Sequence, residues 1–246
     1  TRPVFICSGQ MSGDWQRSGD DHSYYGAIWS KRYTDVRHRR PRLNTEFGFE
    51  APAALDTLRQ HPDAWERLGH LESVIDDLWQ YQAELTQYHI EHFRRLRAET
   101  CAGYVHFWLN DLAPQVGCGV LDVERRAKGG YAALQRASQP VLPSLEHDGR
   151  KPIALWVLND MPQSYAQACL TVRVYDTAGN TVLEATHRVD VRANAAQWVT
   201  GCAWPVSPAQ CARVELALYD AAGMLLAANA YQHPFQPSPR PKGYPW

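Results

Sequence analysis

Apolar and polar residues follow different patterns in the two parts of the chain. In the first part, short apolar runs alternate with stretches of helical spacing, whereas in the second part apolar and polar residues alternate singly. Compact apolar runs are typical of strands buried on both faces, and single alternation is typical of half-buried strands. The pattern therefore predicts two domains of different class, residues 1–146 and residues 147–246.

The first domain is predicted to contain four strands and a long helix. The strands are the segments "PVFICS", "SYYGAIW", "RLNTEFGF" and "GYVHFWLND". Between the third and the fourth, apolar residues from Leu71 to Leu96 recur at spacings of three and four, and polar residues fill the other face. Buried strands separated by helices indicate a parallel sheet of the α/β type.

The second domain is predicted to be an antiparallel β-sandwich. Single alternation runs through "LTVRVYD", "RVDVR" and "RVELALYD", and turn signals surround Gly179 and Gly223. Short alternating strands at this spacing are typical of a sandwich. The segment "QPVLPSLEHDGRKP" before it is interpreted as a linker, and the Pro-rich tail "QPSPRPKGYPW" as irregular.

Composition argues against several classes of partner and cofactor. The formal net charge of -1 gives no reason to expect nucleic acid. No apolar run approaches the ~20 residues that cross a bilayer, so no membrane partner is predicted. The basic segment "KRYTDVRHRRPR" is interpreted as a solvated loop rather than a phosphate site. The sequence has no GxGxxG motif and no phosphate loop, and no cofactor is predicted.

The six cysteines show neither a CxxC pair nor zinc-ligand spacing. The histidines show no HExxH spacing, which argues against His22 and His106 as zinc ligands, and no metal is predicted. Most cysteines lie in apolar surroundings and are interpreted as buried free thiols, which favours the cytoplasm. A disulfide between Cys202 and Cys211 is the alternative.

Polar and aromatic residues gather where the predicted strands end. In parallel α/β barrels, functional groups lie at the carboxyl ends of the strands. Sugars present apolar C–H faces to aromatic rings and hydroxyl groups to carboxylates and amides. These residue types therefore predict a carbohydrate site, and its candidates are Asp20, Asp21 and His22 before the second strand, Tyr24 and Tyr25 on it, Glu46 on the third, and Trp108, Asn110 and Asp111 at the end of the fourth.

Four segments carry a resemblance to a known family, and they occur in its order. "GDDHSYYGAIW", "RLNTEFGFEAP", "AGYVHFWLNDLAP" and "LDVERRAKGGYAALQRASQPVLPSLE" resemble glycoside hydrolase family 2, in the branch of the β-mannosidases. The late segment "LLAANAYQHPF" is similar to that family's final strand. The resemblance covers nearly the whole chain.

The resemblance implies a fold and a size. Residues 1–146 would form the second half of a (β/α)8 barrel, and residues 147–246 an immunoglobulin-like β-sandwich with the irregular tail. A complete barrel takes about 250 residues. We therefore expect this chain to be the C-terminal part of a longer enzyme, whose upstream half contributes the first four barrel strands.

The resemblance also implies roles for single residues. Glu46 matches the catalytic nucleophile, Trp108 the aromatic residue beneath the sugar, and His22 lies in the matching "GD-x-H" segment. Asn110 and Asp111 match a pair that shapes the rim. Either Tyr24 or Tyr25 faces the sugar or bonds the nucleophile. Glu50 matches no catalytic role.

The implied activity is that of a retaining exo-β-glycosidase acting on a β-linked oligosaccharide or glycoside. Such an enzyme needs two carboxylic residues about 5 Å apart. The family's acid/base is a Glu that directly follows Asn, and this chain contains no Asn-Glu pair. We therefore expect the chain alone to be inactive. The alternative is a non-catalytic carbohydrate-binding or structural module.

The identity of the sugar stays open. "APQVGCGVLD" has small residues near Gly117 and Cys118, where related sequences have an aromatic residue. β-Mannoside leads through the local resemblance, ahead of β-glucosaminide, β-galactoside and β-glucuronide.

Overall fold

The structure is a computed structural model that describes residues 20–29, 32–97, 99–204 and 207–239. Contacts between residues divide the chain into two compact units. The first unit comprises the described residues of Thr1–Gln135 and of Ser238–Trp246, and the second comprises those of Arg136–Pro237. The first predicted strand, "PVFICS", lies outside the described residues.

The described residues of the first unit form short strands and four helices, the last of which ends in the second unit. The strands are β1 (Asp20–His22), β2 (Leu43–Phe47), β3 (Ala51–Pro52), β4 (Tyr104–His106) and β5 (Val116–Gly117). The helices are α1 (Leu55–Gln60), α2 (Pro62–Leu68), α3 (Ile75–Arg95) and α4 (Gly129–Ala137), with 3-10 turns at Tyr33–His38 and Gly69–Val74.

The main sheet of the first unit is parallel, with strand order β1-β2-β4. Helix α3, which the three- and four-residue spacing predicted, buries Leu85, Ile90 and Phe93. Phe47 of β2 is fully buried, and its ring lies 5.6 Å from that of Phe93. The helix therefore covers one face of the sheet, the face toward which Phe47 points.

The second predicted strand is wrong in position. The strand is Asp20–His22, and the segment "SYYGAIW" itself, residues 23–29, follows the strand and contains a turn at residues 26–28. Gly26 has a φ of +84°, and a Cβ atom there would overlap the backbone of Tyr33. The turn brings the chain back toward the 3-10 segment at Tyr33–His38, so this apolar run cannot continue as a strand.

The second unit is an all-β sandwich. Its strands are β6 (Val141–His147), β7 (Pro152–Asn159), β8 (Tyr165–Asp176), β9 (Thr181–Val191), β10 (Ala195–Gly201), β11 (Cys211–Tyr219) and β12 (Leu225–Gln232). They form two antiparallel sheets, ordered β10-β7-β6 and β12-β11-β8-β9. The predicted turns are confirmed at Gly179 and Gly223, which have φ values of +85° and +83°.

One core lies between the two sheets of the sandwich. Leu155 of β7, Val172 of β8 and Leu216 of β11 belong to one cluster of buried residues. The Tyr231 hydroxyl joins the sheets, because it accepts a hydrogen bond from Leu145 N at 2.8 Å. Alternate inward residues of both sheets thus supply the apolar interior.

The predicted linker is wrong for residues 141–147, which form strand β6. Pro143 within it suggested irregular chain, but among the described strands β6 pairs with β7 alone and so lies at an edge, where a proline is tolerated. The contacts divide the chain between Gln135 and Arg136, which is earlier than the predicted boundary.

Candidate active site

The carboxyl ends of the three parallel strands bring the candidate residues to one edge of the sheet. His22, the last residue of β1, pairs in register with Glu46 of β2, and Phe47 pairs with His106 of β4. The register is held by Ser23 N donating to Glu46 O at 2.8 Å and by Phe107 N donating to Phe47 O at 2.8 Å. The edge therefore carries Glu46 next to the segment that contains Trp108.

The Glu46 carboxylate is held by two neighbours from the β1 segment. The Tyr24 hydroxyl donates a hydrogen bond to Glu46 Oε2 at 2.8 Å, and His22 Nδ1 lies 3.3 Å from the same oxygen. The side chain of Glu46 is 27% exposed. Among the described residues, both contacts engage Oε2, so Oε1 is available to a ligand.

Tyr24 and Tyr25 have different surroundings. Burial, together with the hydrogen bond to Glu46, raises the pKa of the Tyr24 phenol well above its usual value, which keeps it a protonated donor. Its ring contacts Trp29 and Phe107 edge-on. The Tyr25 ring packs against Trp29, and burial raises its pKa as well. Of the two tyrosines, Tyr24 is the one bonded to Glu46.

Trp108 follows β4 and is fixed by its indole nitrogen. Nε1 donates to Asp111 Oδ1 at 3.2 Å, and the Trp108 carbonyl oxygen lies 3.1 Å from His106 Nδ1. The indole is half-buried, and the peptide bond before it is cis. Gly48 lies against the Phe107 carbonyl group, where a Cβ atom would overlap it, so the strand that carries Glu46 packs closely against this segment.

Asp111 differs from its expected place on the rim, because its carboxylate is buried. Lys128 Nζ donates to Asp111 Oδ2 at 2.7 Å, and both side chains have no exposed surface. Asn110 is exposed, and its Nδ2 donates to the Asp111 carbonyl oxygen. Of this pair, only Asn110 presents its side chain to solvent.

Sequence reasoning missed Lys128 and the pair of Asp21 with Arg39. Arg39 donates two hydrogen bonds to the buried Asp21 carboxylate, from Nη2 at 2.8 Å and from Nε at 3.0 Å. Burial raises the pKa of Asp21, although Arg39 opposes the shift. Lys128 lies between small residues in "RAKGGYAA", within one of the four segments that carry the family resemblance.

Other candidates surround the site. The Asp20 carboxylate accepts a hydrogen bond from the Thr45 hydroxyl. Glu50 is half-exposed and precedes β3, whose Ala51 pairs with Gly117. Burial, followed by the charge of Glu50, raises the pKa of the Cys118 thiol well above its usual value. A Cβ atom at Gly117 would overlap the Asp111 carboxylate, which accounts for the small residue there.

The basic segment "KRYTDVRHRRPR", residues 31–42, forms several ion pairs away from Glu46. Besides the Arg39 pair, Arg32 pairs with Asp35 at 3.0 Å and Arg40 with Glu99 at 3.1 Å. An open cleft of about 730 Å³ is lined by Arg40, Arg42, Glu99, Thr100 and Ala102. Arg42 and Ala102 precede β2 and β4, so this cleft lies at the amino ends of the strands and away from Glu46.

The described cysteines are free, which includes Cys202 and Cys211, so the alternative of a disulfide between them is wrong. Burial raises the pKa of Cys202 to about 12 and that of Cys211 to about 11. Among the described residues, no cluster of three or more His, Cys, Asp or Glu could hold a metal ion. The helices described here include none with the length and apolarity to cross a membrane.

Comparison with known proteins identifies the second unit. Residues 151–235 match the family model of the mannosidase Ig/CBM-like domain. This part of the second unit is therefore similar to the mannosidase Ig/CBM-like domain. A search of curated proteins finds no match to this chain.

Two solved structures share the fold over most of the chain. A β-D-mannosidase from Dictyoglomus thermophilum is 19% identical with a TM-score of 0.73, over 90% of this chain and 31% of that one. An exo-chitosanase from Amycolatopsis orientalis, in complex with PNP-β-D-glucosamine, is 15% identical with a TM-score of 0.71, over 92% of this chain and 32% of that one.

The predicted resemblance, to the C-terminal part of β-mannosidase-like enzymes of glycoside hydrolase family 2, is confirmed by these matches. At 19% and 15% sequence identity, the similarity to these two structures shows the fold alone. The chain spans 31% to 32% of their length.

Proposed function

We propose that this chain supplies the nucleophile of a retaining exo-β-glycosidase, and that the nucleophile is Glu46. The observation that carries the proposal is the Glu46 carboxylate at the carboxyl edge of a parallel sheet, held through Oε2 by Tyr24 and His22. A half-exposed carboxylate with one oxygen bound and the other available suits attack on a carbon atom. An acid that belonged only to a solvated surface would not need two buried or half-buried partners.

The chemistry is a double displacement. Glu46 Oε1 attacks the anomeric carbon, a C–O bond forms between them, and the glycosidic C–O bond breaks as the leaving oxygen takes a proton from the acid/base residue. Water, deprotonated by that same residue, then attacks the anomeric carbon, the bond to Glu46 breaks, and the sugar leaves with retained configuration. Tyr24, held in its protonated form, donates to Oε2 and so orients the carboxylate for attack.

The acid/base residue belongs, in this proposal, to another part of the intact enzyme. The chain has no Asn-Glu pair, which the family resemblance requires. We include in the proposal that β1, β2 and β4 are strands of a (β/α)8 barrel. Val105 supports this, because it lies between Tyr104 and His106 and is 53% exposed. Parallel sheets are normally covered on both faces, so an apolar residue exposed on the second face indicates a missing cover.

In this proposal the substrate is a terminal β-linked sugar, and β-mannoside is the favoured candidate. One matched structure is a β-D-mannosidase, and the other was solved with a β-D-glucosamine derivative. Trp108 and Asn110 line the rim in this proposal, the first as an apolar platform and the second as a hydrogen-bonding amide.

The test compares variants in the intact enzyme that contains this chain. Glu46→Ala and Glu46→Gln are expected to lower kcat for an aryl β-mannoside by about 10⁴-fold or more. Azide is expected to restore turnover to Glu46→Ala and to yield a glycosyl azide of inverted configuration. The matched control is Glu50→Gln, which removes the carboxylate four residues further on and keeps activity. Full activity in Glu46→Ala would contradict the proposal.

A second candidate function is a non-catalytic carbohydrate-binding module, favoured by the match of residues 151–235 to an Ig/CBM-like domain. Under this reading the intact protein binds β-linked oligosaccharides and does not cleave them. Titration calorimetry with such oligosaccharides, together with the assay above, separates the two. Hydrolysis that depends on Glu46 excludes the second candidate.

A further inference from the structure

Lys128 is a buried lysine whose three hydrogen bonds all end on segments around the candidate site. Nζ donates at 2.7 Å to Asp111 Oδ2, to Ala51 O and to Gly117 O. An ammonium group has three N–H donors, so these contacts use all of them. One cation therefore joins β3, β5 and the loop after Trp108.

Asp111 connects Lys128 to Trp108, because its carboxylate accepts hydrogen bonds from both side chains. Its Oδ2 is taken by Lys128, and its Oδ1 accepts from Gly119 N at 2.8 Å and from Trp108 Nε1 at 3.2 Å. A Cβ atom at Gly117 or Gly119 would overlap this carboxylate, so the two glycines leave the space that it fills. The indole of Trp108 is thus oriented by an acceptor that cannot turn.

A buried ion pair stabilises a fold only weakly, because the free energy of removing both charges from water offsets their attraction. Burial lowers the pKa of Lys128, and the charge of Asp111 opposes the shift. Replacing a buried ion pair by apolar residues of similar size is often neutral or stabilising. The pair therefore needs a reason beyond stability, and its geometry supplies one in the fixed indole.

We propose that Lys128 is a positioning residue for substrate binding, which acts through Asp111 to hold the Trp108 indole as the platform for the sugar on the Glu46 edge of the sheet. This inference rests on the proposed function, because it assigns Trp108 to the sugar. It adds a cation that never touches the substrate but sets the orientation of the residue that does.

The decisive experiment is a double-mutant cycle in the intact enzyme. Lys128→Met is expected to lower kcat/KM for an aryl β-mannoside by about 100-fold, mainly through KM, since a small misplacement of a binding group has an effect of that size. In the Trp108→Ala background, the same substitution is expected to change kcat/KM by less than about threefold, because the proposal has Lys128 act on the substrate through the Trp108 indole. Equal losses in both backgrounds would overturn the proposal.

Loss of folding is controlled with further variants. If Lys128→Met does not fold, the cycle is run with Lys128→Met combined with Asp111→Asn, which removes both charges. Leu85→Ala is the matched control for destabilisation, because Leu85 is fully buried in α3. It is expected to lower the melting temperature without raising KM. A rise in KM equal to that of the Lys128 variant would count against positioning.

A second measurement does not depend on activity. In ¹⁵N-tryptophan-labelled chain, the Trp108 indole N–H resonance is assigned by its absence in Trp108→Phe. Lys128→Met is expected to shift this resonance, and the control Leu85→Ala is expected to leave it in place. An unmoved resonance overturns the coupling of Lys128 to Trp108. A shifted resonance with an inactive intact enzyme would keep the coupling and refute the glycosidase proposal instead.

Discussion

At the scale of single residues, Tyr24 and Tyr25 are neighbours in sequence that the structure separates. The strand β1 ends at His22, and the turn that follows directs the hydroxyl of Tyr24 to Glu46 while the Tyr25 ring packs on Trp29. We therefore propose that Tyr24, rather than Tyr25, orients the carboxylate.

Tyr24→Phe tests this role. The substitution removes the 2.8 Å hydrogen bond to Glu46 and keeps the ring. A hydrogen bond to a charged group contributes about 1.5–3 kcal/mol, so we expect a loss of about 10- to 100-fold in the rate of glycosyl-enzyme formation. The measurement is pre-steady-state kinetics of the intact enzyme. Tyr25→Phe is the control, and an equal loss in both variants would contradict the assignment.

Residue types at strand ends indicated the site, but not every role within it. The position of Glu46 at the end of a strand could be predicted, because it lies in a recognisable apolar run before Gly48, and its role stays a prediction. The burial of Asp111 could not, since it depends on Lys128, which is distant in sequence. Two of the three acceptors of Lys128 are backbone carbonyl groups, at Ala51 and Gly117, and carbonyl groups carry no sequence signal.

At the scale of elements, α3 and the strands beside it bury charged and titratable groups. Helix α3 contains His89 and His92, and β4 ends at His106. Their burial lowers the pKa to about 4 for His89 and His106 and to about 3 for His92. All three are therefore neutral in the folded protein near pH 7.

These histidines predict a loss of stability in acid. In the unfolded chain their pKa is about 6.5, so from that pH down to about 4 the unfolded state binds more protons. The free energy of unfolding is expected to fall by about 1.4 kcal/mol per pH unit for each histidine. Urea unfolding at several pH values measures it. The slope should decrease in His89→Gln and stay unchanged in His61→Gln, whose side chain is 41% exposed. An unchanged slope in His89→Gln would contradict the account.

The buried pair of Asp21 and Arg39 gives a second prediction for the elements. Arg39→Met leaves the Asp21 carboxylate buried without its cation, and we expect a loss of about 3–5 kcal/mol in the free energy of unfolding. Arg40→Met removes the next arginine, which is 53% exposed and paired with Glu99, and should cost about 1 kcal/mol or less. Urea unfolding of both variants measures the difference. Equal losses would show that the Asp21 pair contributes no more than a surface pair.

Periodicity predicted the long elements better than the short ones. The spacing of apolar residues over about six turns predicted the 21-residue helix α3, because a long amphipathic face repeats its signal. The apolar run at residues 23–29 gave no comparable repeat, and Gly26 turns the chain there. Pro143 suggested a linker, although it lies in the edge strand β6, where its missing N–H needs no partner.

At the scale of the whole molecule, the second unit has a core of its own. The cluster that includes Leu155, Val172 and Leu216 lies within Arg136–Pro237. We therefore expect residues 136–237, expressed alone, to unfold in one cooperative transition.

Leu216→Ala in this separate unit is expected to lower the free energy of unfolding by about 2–5 kcal/mol, because Leu216 is 1% exposed. Val182→Ala, at a 37% exposed position, should change it by about 0.5 kcal/mol or less. Thermal and urea unfolding measure both. A unit that does not fold alone, or a core variant as stable as the surface one, would contradict this division.

Single alternation predicted the sandwich, and the match of residues 151–235 agrees with it. The barrel stays a proposal, because three parallel strands are compatible with more than one closed or open sheet. Closure depends on strands that would pair with β1 and β4, and the described residues do not contain them.

The most direct measurement is trapping of the glycosyl-enzyme. The intact enzyme is incubated with an activated 2-deoxy-2-fluoro-β-mannoside, digested, and mapped by mass spectrometry. If Glu46 is the nucleophile, one fluoroglycosyl group is added, attached to Glu46 on the peptide that contains "LNTEFGFE". A label on another carboxylate, together with an active Glu46→Ala variant, would contradict this assignment.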